Sequence, residues 1–279
     1  MKPFTYHTHT TFCDGKNTPE EMVQSALAHG CDALGFSSHS PEPIAPAGTG
    51  TKDTRTAATM AAYRAEIRRL REAYRDRIPI FLGLEQDLFS PPILPTDGYD
   101  YRIGSIHYVE QNGLYLQVDA NRDTFLSHVK NAFGNDPIAL ACCYFAQMKD
   151  LSARTNCDIV GHFDLITKYN EGECLFCERD RRYEKAAGEA AEALARQGQI
   201  FEINTGAIGR GYRTAPYPSE RLLCLIRSCG GRVTYASDCH RADTITVGFD
   251  RAVALAKKCG FRGFMKLSEH GFYEQAFED

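Results

Sequence analysis

The sequence predicts an α/β protein whose parallel strands close, or nearly close, into a barrel with its functional groups gathered at the C-terminal strand ends. Seven short apolar runs alternate with helix-forming segments, the pattern of parallel α/β architecture. No linker, internal repeat or low-complexity tract interrupts the 279 residues, so a single domain over 1–279 is expected. Histidines and carboxylates recur where the runs end, as in barrels whose strand ends build the site. An open doubly wound sheet is the alternative architecture.

The first run is FTYHTH (4–9). A helix follows in NTPEEMVQSALAHG, with Thr18 as N-cap, Pro19 at the first helical position, Glu21 closing a capping box and Gly30 past the end. The second run, ALGFSSH (33–39), leads into PEPIAPAGTGT (41–51), a Pro/Gly-rich stretch read as a loop beside the site because it leaves a strand ending in His39. A helix from Thr54 to Tyr74 puts Met60, Tyr63, Ile67, Leu70 and Tyr74 on one face. Its arginines 64, 68, 71 and 75 read as a solvated face. The third and fourth runs are IPIFLGLE (78–85) and YRIGSIHYV (101–109), followed by helices over 123–133 and 137–150. CDIVGH (157–162), a helix over 181–197, QIFEIN (199–204), a helix over 219–229, GRVTYASD (231–238) and a helix over 243–258 complete the alternation.

Composition narrows the function classes. A net charge of −4 offers no basic surface for duplex nucleic acid or an anionic membrane, so any anion must be handled locally. No apolar stretch approaches the ~20 residues that span a bilayer, and no basic start precedes an apolar run, so the cytoplasm is the expected compartment. Eleven cysteines, an odd number scattered through strand and helix segments, read as reduced thiols rather than a disulfide framework. The CLFC segment (174–177) fits zinc or redox spacing, but it lacks a second ligand pair and a preceding strand, and it is read as free thiols in an insertion.

The histidines then fall into place. His7 and His9 sit one residue apart on an extended run, so both imidazoles point to one side, with Asp14 close behind. His39, Glu85, His107, His162 and Asp238 lie at or near the ends of later runs, and His240 just beyond the last. Imidazole and carboxylate donors suit Zn, Fe or Mn. Nine such donors exceed one coordination sphere, and two or three ions are expected. His29 near a helix end, His128 within a helix and His270 in the tail read as ordinary.

The set HTHTTFCDG, FSSH, GLE, GSIH, GHFD, EINTG and SDCH, in this order and over nearly the whole chain, resembles the polymerase and histidinol phosphatase (PHP) family, most closely its histidinol-phosphatase branch. The resemblance implies a distorted (β/α)7 barrel holding three divalent ions. It implies His7, His9, Glu85 and Asp238 around the first, Glu85, His107 and His162 around the second, and Asp14, His39 and His240 around the third. One departure is SSH where the family more usually has SDH, which removes an aspartate beside His39. The implied reaction is hydrolysis of L-histidinol phosphate by an activated water, with Glu85, Asp238 and His240 as the catalytic set.

Arginine matches phosphate bidentately. Either Arg210 or Arg213, after the sixth run, is therefore the expected phosphate clamp, with Lys168 next. Asp164 is expected to orient a ligand or meet the substrate amine. Two other functions compete: a related phosphoesterase acting on a nucleotide or another small phosphate ester, and a non-catalytic metal-binding domain. Open coordination positions argue against the latter, since structural zinc sites are closed.

Overall fold

Six of the seven apolar runs pair side by side in one parallel sheet. The computed structural model describes residues 1–42, 55–91 and 98–278, so most of the 41–51 loop lies outside the described residues. In chain order the strands are β1 (Leu34–His39), β2 (Ile80–Asp87), β3 (Tyr101–Ser105), β4 (Tyr108–Gln111), β5 (Leu114–Gln117), β6 (Ile159–Val160), β7 (Ile200–Asn204), β8 (Arg232–Ala236), β9 (Gly263–Ser268) and β10 (Gly271–Ala276). The main sheet runs β1-β2-β3-β6-β7-β8, all parallel and in step, with His39 opposite Glu85 at the ends of β1 and β2.

The first run joins the edges of that sheet. Thr5 bridges Leu34 of β1 and Thr8 bridges Cys239 just past β8, both in the parallel sense. The sheet thus curls into a half-barrel whose first and last strands are linked by residues 5–9. These residues do not form a continuous strand, because hydroxyls take part of the ladder's hydrogen bonding. His7 N donates to Thr5 Oγ1 at 3.3 Å and Thr8 N to Ser37 Oγ at 3.1 Å. Inside, the Tyr101 ring lies across Gly83, where a Cβ would sit 2.2 Å from Tyr101 Cζ. Its hydroxyl donates to the carbonyls of Phe36, at 3.0 Å, and Tyr6. A glycine in β2 is what lets an aromatic fill the barrel.

The helices are α1 (Pro19–Ala28), α2 (Ala57–Tyr74), α3 (Arg122–Ala132), α4 (Pro137–Met148), α5 (Leu151–Thr155), α6 (Arg181–Arg196), α7 (Gly206–Gly209), α8 (Glu220–Ser228) and α9 (Phe249–Lys258). α1 carries the expected capping box, with Glu21 N donating to Thr18 Oγ1 and Thr18 N to Glu21 Oε2 at 2.7 Å. α2 buries Met60, Tyr63, Ile67, Leu70 and Tyr74 against β1 and β2. The helix expected from Asp243 starts only at Phe249, after Gly248 takes a left-handed φ of 69°. Two antiparallel hairpins, β4–β5 and β9–β10, were not anticipated. Among the described residues no helix is long and apolar enough to cross a membrane.

Candidate metal centre

In-register parallel strands deliver their last residues to one face, and nine side chains meet there. Glu85, at the end of β2 and wholly buried, is the hub. Its Oε2 lies 3.3 Å from His7 Nε2, 3.5 Å from His9 Nε2 and 2.6 Å from His39 Nδ1. Its Oε1 lies 3.4 Å from His107 Nε2 and 3.0 Å from His162 Nε2, and accepts from Ser105 Oγ at 2.7 Å. One carboxylate therefore separates two sets of imidazoles, each on its own oxygen.

The other carboxylates complete the ring. Asp238 Oδ1 stands 3.3 Å from His9 Nε2. Asp14 reaches from the mouth, 3.4 Å from His39 Nε2 and 3.2 Å from His240 Nε2. Three groups of donor atoms converge within 4.8 Å: His9, Asp14, His39 and His240; His7, His9 and Glu85; and His39, Glu85 and His107. These overlap the implied partition, with His9 added to the Asp14 group and His39 beside His107. His162 meets Glu85 directly.

Whether these donors fit cations can be read from their unmet bonds. His7 Nε2 and His9 Nε2, which face Glu85 Oε2 at 3.3 and 3.5 Å, are buried without a hydrogen-bond partner. Buried polar atoms are normally paired, because each one left bare costs roughly 1–3 kcal/mol. Lone-pair donors of borderline softness aimed at shared points suit divalent transition metals. Electrostatics agree. Burial alone pulls the His7 and His39 imidazoles down, yet the carboxylates around them, Glu202 and Glu85 for His7 and Glu85 and Asp14 for His39, hold both well above the usual range. Burial pushes Glu85 and Asp238 up, but His39 and His7 around Glu85, and Arg210 and His7 around Asp238, keep both ionised. The ionised carboxylates draw positive charge to this face.

Supporting residues surround this set. Glu202, in β7, takes His7 Nδ1 at 2.6 Å and accepts from His162 N at 3.0 Å. Asp87, two residues past Glu85, accepts from His107 N at 2.8 Å and faces its Nδ1 at 3.3 Å. Such partners fix which imidazole nitrogen is presented. Both went unnamed from sequence. A carboxylate in the middle of the apolar run QIFEIN is the signal for Glu202, because an ionised group there must be paired.

A cleft of about 400 Å³ opens over the cluster, lined by Asp14, His39, Glu85, His107, His162, Asp238 and His240 together with Asp119, Lys168, Arg210 and Tyr212. Arg210 NH2 donates to Asp238 Oδ2 at 3.0 Å and NH1 to Asp238 O at 2.9 Å. These bonds hold Asp238 at a φ of 45°, which few non-glycine residues adopt. Lys168 Nζ donates to Asp119 O at 2.8 Å and stands 5.1 Å from the centre of the Tyr212 ring. Arg213, by contrast, is turned away from the cleft. It donates to Thr167 O at 2.9 Å and lies over Tyr217, a buried brace rather than a cleft cation. Asp164 is also buried outside the cleft, with Oδ2 accepting from Ser219 N at 2.9 Å, because the chain folds back after His162 into a short 3-10 turn. Burial raises its carboxyl to about 6 despite Arg213 nearby. Cys174 and Cys177 are free and exposed.

Comparison with known proteins places this geometry. The PHP domain family matches residues 5–206. A protein of Schizosaccharomyces pombe named "Probable histidinol-phosphatase" is 29% identical over 96% of this chain and 90% of its own length. The histidinol-phosphatase of Lactococcus lactis is 25% identical over 96% of this chain and 95% of its own. A crystal structure of histidinol phosphate phosphatase from Lactococcus lactis, complexed with zinc, L-histidinol and phosphate, superposes with a TM-score of 0.69 at 21% identity, covering 98% of this chain and 99% of that one.

Proposed function

This chain belongs to the PHP domain family, and from that premise we propose that it is a metal-dependent phosphomonoesterase hydrolysing L-histidinol phosphate to L-histidinol and inorganic phosphate. The observation that carries the reading is Glu85, whose two oxygens face separate imidazole sets from a buried position. That arrangement supports adjacent cations sharing one carboxylate. The relatives named histidinol-phosphatase span nearly the whole chain, which supports the substrate.

In this reading His7, His9, Asp14, His39, Glu85, His107, His162, Asp238 and His240 hold three divalent ions, Zn, Fe or Mn. Bound there, the ions would neutralise phosphate oxygens and lower the pKa of a water towards ~7. The chain's own part is positional. Glu202 and Asp87 fix the ring nitrogens of His7 and His107 that face away from the centre. Arg210 sets the pose of Asp238 while lining the cleft, so a phosphate over the cluster meets a fixed guanidinium. Lys168 contributes a second cation to the cleft, oriented by Asp119. Asp238 and His240 line the same cleft, within reach of a leaving alcohol that either could assist. We further take the 279 residues as one catalytic domain acting in the cytoplasm, a reading supported by eleven cysteines, an odd number scattered through strands and helices.

A phosphate-release screen of the metal-loaded protein tests the proposal. Turnover should be highest on L-histidinol phosphate, lower on mononucleotides and absent on a phosphate bis-ester. A preference for the bis-ester would remove the reading.

A further inference from the structure

Outside the cleft, where α8 meets the end of α9, two cysteines meet. Cys224 lies on α8 and Cys259 caps α9, and their sulfurs are 2.8 Å apart although 35 residues separate them in sequence. The surrounding contacts hold this approach in place. Arg227 Nε donates to Gly260 O at 2.9 Å, Lys258 Nζ pairs with Glu220 at 2.7 Å, and Cys259 Sγ lies 3.6 Å from Glu220 O. Each contact ties α8 to the end of α9. The two thiols also differ in access, Cys224 being exposed and Cys259 buried.

We propose that Cys224 and Cys259 form a modification site that closes reversibly to a disulfide in the presence of a low-molecular-weight disulfide such as oxidised glutathione. The exposed Cys224 meets the oxidant first. Its thiolate attacks one glutathione sulfur, the glutathione S–S bond breaks, and one glutathione leaves as its thiol with the proton Cys224 has lost. The buried Cys259, deprotonated in the course of attack, displaces the second glutathione from the Cys224 sulfur, and that thiol takes the Cys259 proton. Two protein thiols are oxidised by two electrons, and one small disulfide is reduced to two thiols. Burial and the neighbouring sulfur push the Cys259 thiol up to about 12, which disfavours its thiolate, so the second step is carried by the contact between the two sulfurs.

The closed pair would encircle residues 225–258, which include β8, Asp238 and His240. Neither cysteine lines the cleft, so the crosslink leaves it open. Its effect falls on the unfolded chain, whose freedom it reduces.

The test uses the metal-loaded full-length protein incubated with oxidised glutathione, alkylated and mapped by peptide mass. The expected product is one joined pair of peptides carrying Cys224 and Cys259, lighter by two hydrogens than the separate peptides and reversed by dithiothreitol. The melting temperature should rise by ~5 °C or more. Cys259→Ser should stop at a glutathione adduct on Cys224, and Cys224→Ser should give neither adduct nor crosslink, both keeping wild-type phosphate release before oxidation. A stable glutathione adduct on Cys224 in the wild type, or a Cys224–Cys259 link no more abundant than links among the other cysteines, would overturn the proposal. An unchanged melting temperature in the linked protein would overturn its stabilising role.

Discussion

Glu85 lies within reach of His7, His9 and His39 on one oxygen and of His107 and His162 on the other, so the account is most exposed at this residue. Glu85→Gln replaces one of those oxygens by a donor that cannot bind a cation. Turnover should fall by ~100-fold or more, accompanied by lower metal content in elemental analysis. Glu202→Gln should cost ~10- to 100-fold in metal affinity or activity, since His7 Nδ1 loses its charged acceptor while every proposed ligand stays in place; a metal titration of the stripped protein reads this directly. The two arginines should part company. Arg210→Ala frees Asp238 from its constrained pose and should lower kcat/KM by ~10- to 100-fold. Arg213→Ala should instead destabilise the fold by ~1.5–3 kcal/mol and leave phosphate release per folded molecule within about twofold, as denaturant melts and initial rates will show. Most of the nine candidate ligands were legible because they lie at or near the ends of apolar runs, where a parallel sheet must present them together, with Asp14 and His240 just beyond such ends. Arg213 was misplaced because its loop position says nothing of which way a side chain turns, and here the buried Thr167 carbonyl draws it inward.

Among the elements, those with strong local signals matched the sequence most closely. α1 has its capping box and α2 its five-residue apolar face, both written in short-range spacing. β6 is only Ile159–Val160, and the run over 101–109 breaks at Ser105 so that the chain can re-enter as the β4–β5 hairpin. Nothing local marks that break. It is set by His107, whose backbone N–H goes to Asp87 rather than to a neighbouring strand. The β9–β10 hairpin likewise pairs residues that carry no alternating pattern, exposed on β10 and buried on β9. Packing around Tyr101 offers a test at this scale. Gly83→Ala would place a methyl group 2.2 Å from the Tyr101 ring, and overpacking of this kind costs ~1–3 kcal/mol or more. A lowered urea midpoint at unchanged slope is the expected outcome, and wild-type stability would mean that the ring does not fill the barrel as described.

At the scale of the whole molecule, a curled parallel sheet closed by residues 5–9 brings His7 and His9 from the first run beside Asp238 and His240 from the last. That closure could be expected from the count of runs, whereas its make-up of isolated bridges could not, because side-chain hydroxyls and not backbone pattern decide it. The first and last segments share a site that needs cations, so metal binding and folding should be coupled. Chelation should lower the melting temperature as well as abolish turnover, and re-addition of Zn, Fe or Mn should restore both. The most direct measurement is elemental analysis of the purified, fully active protein combined with its specific activity on L-histidinol phosphate. The account predicts two to three transition-metal ions per chain, with activity falling in proportion as they are withdrawn. Full activity with one ion or fewer per chain would contradict it.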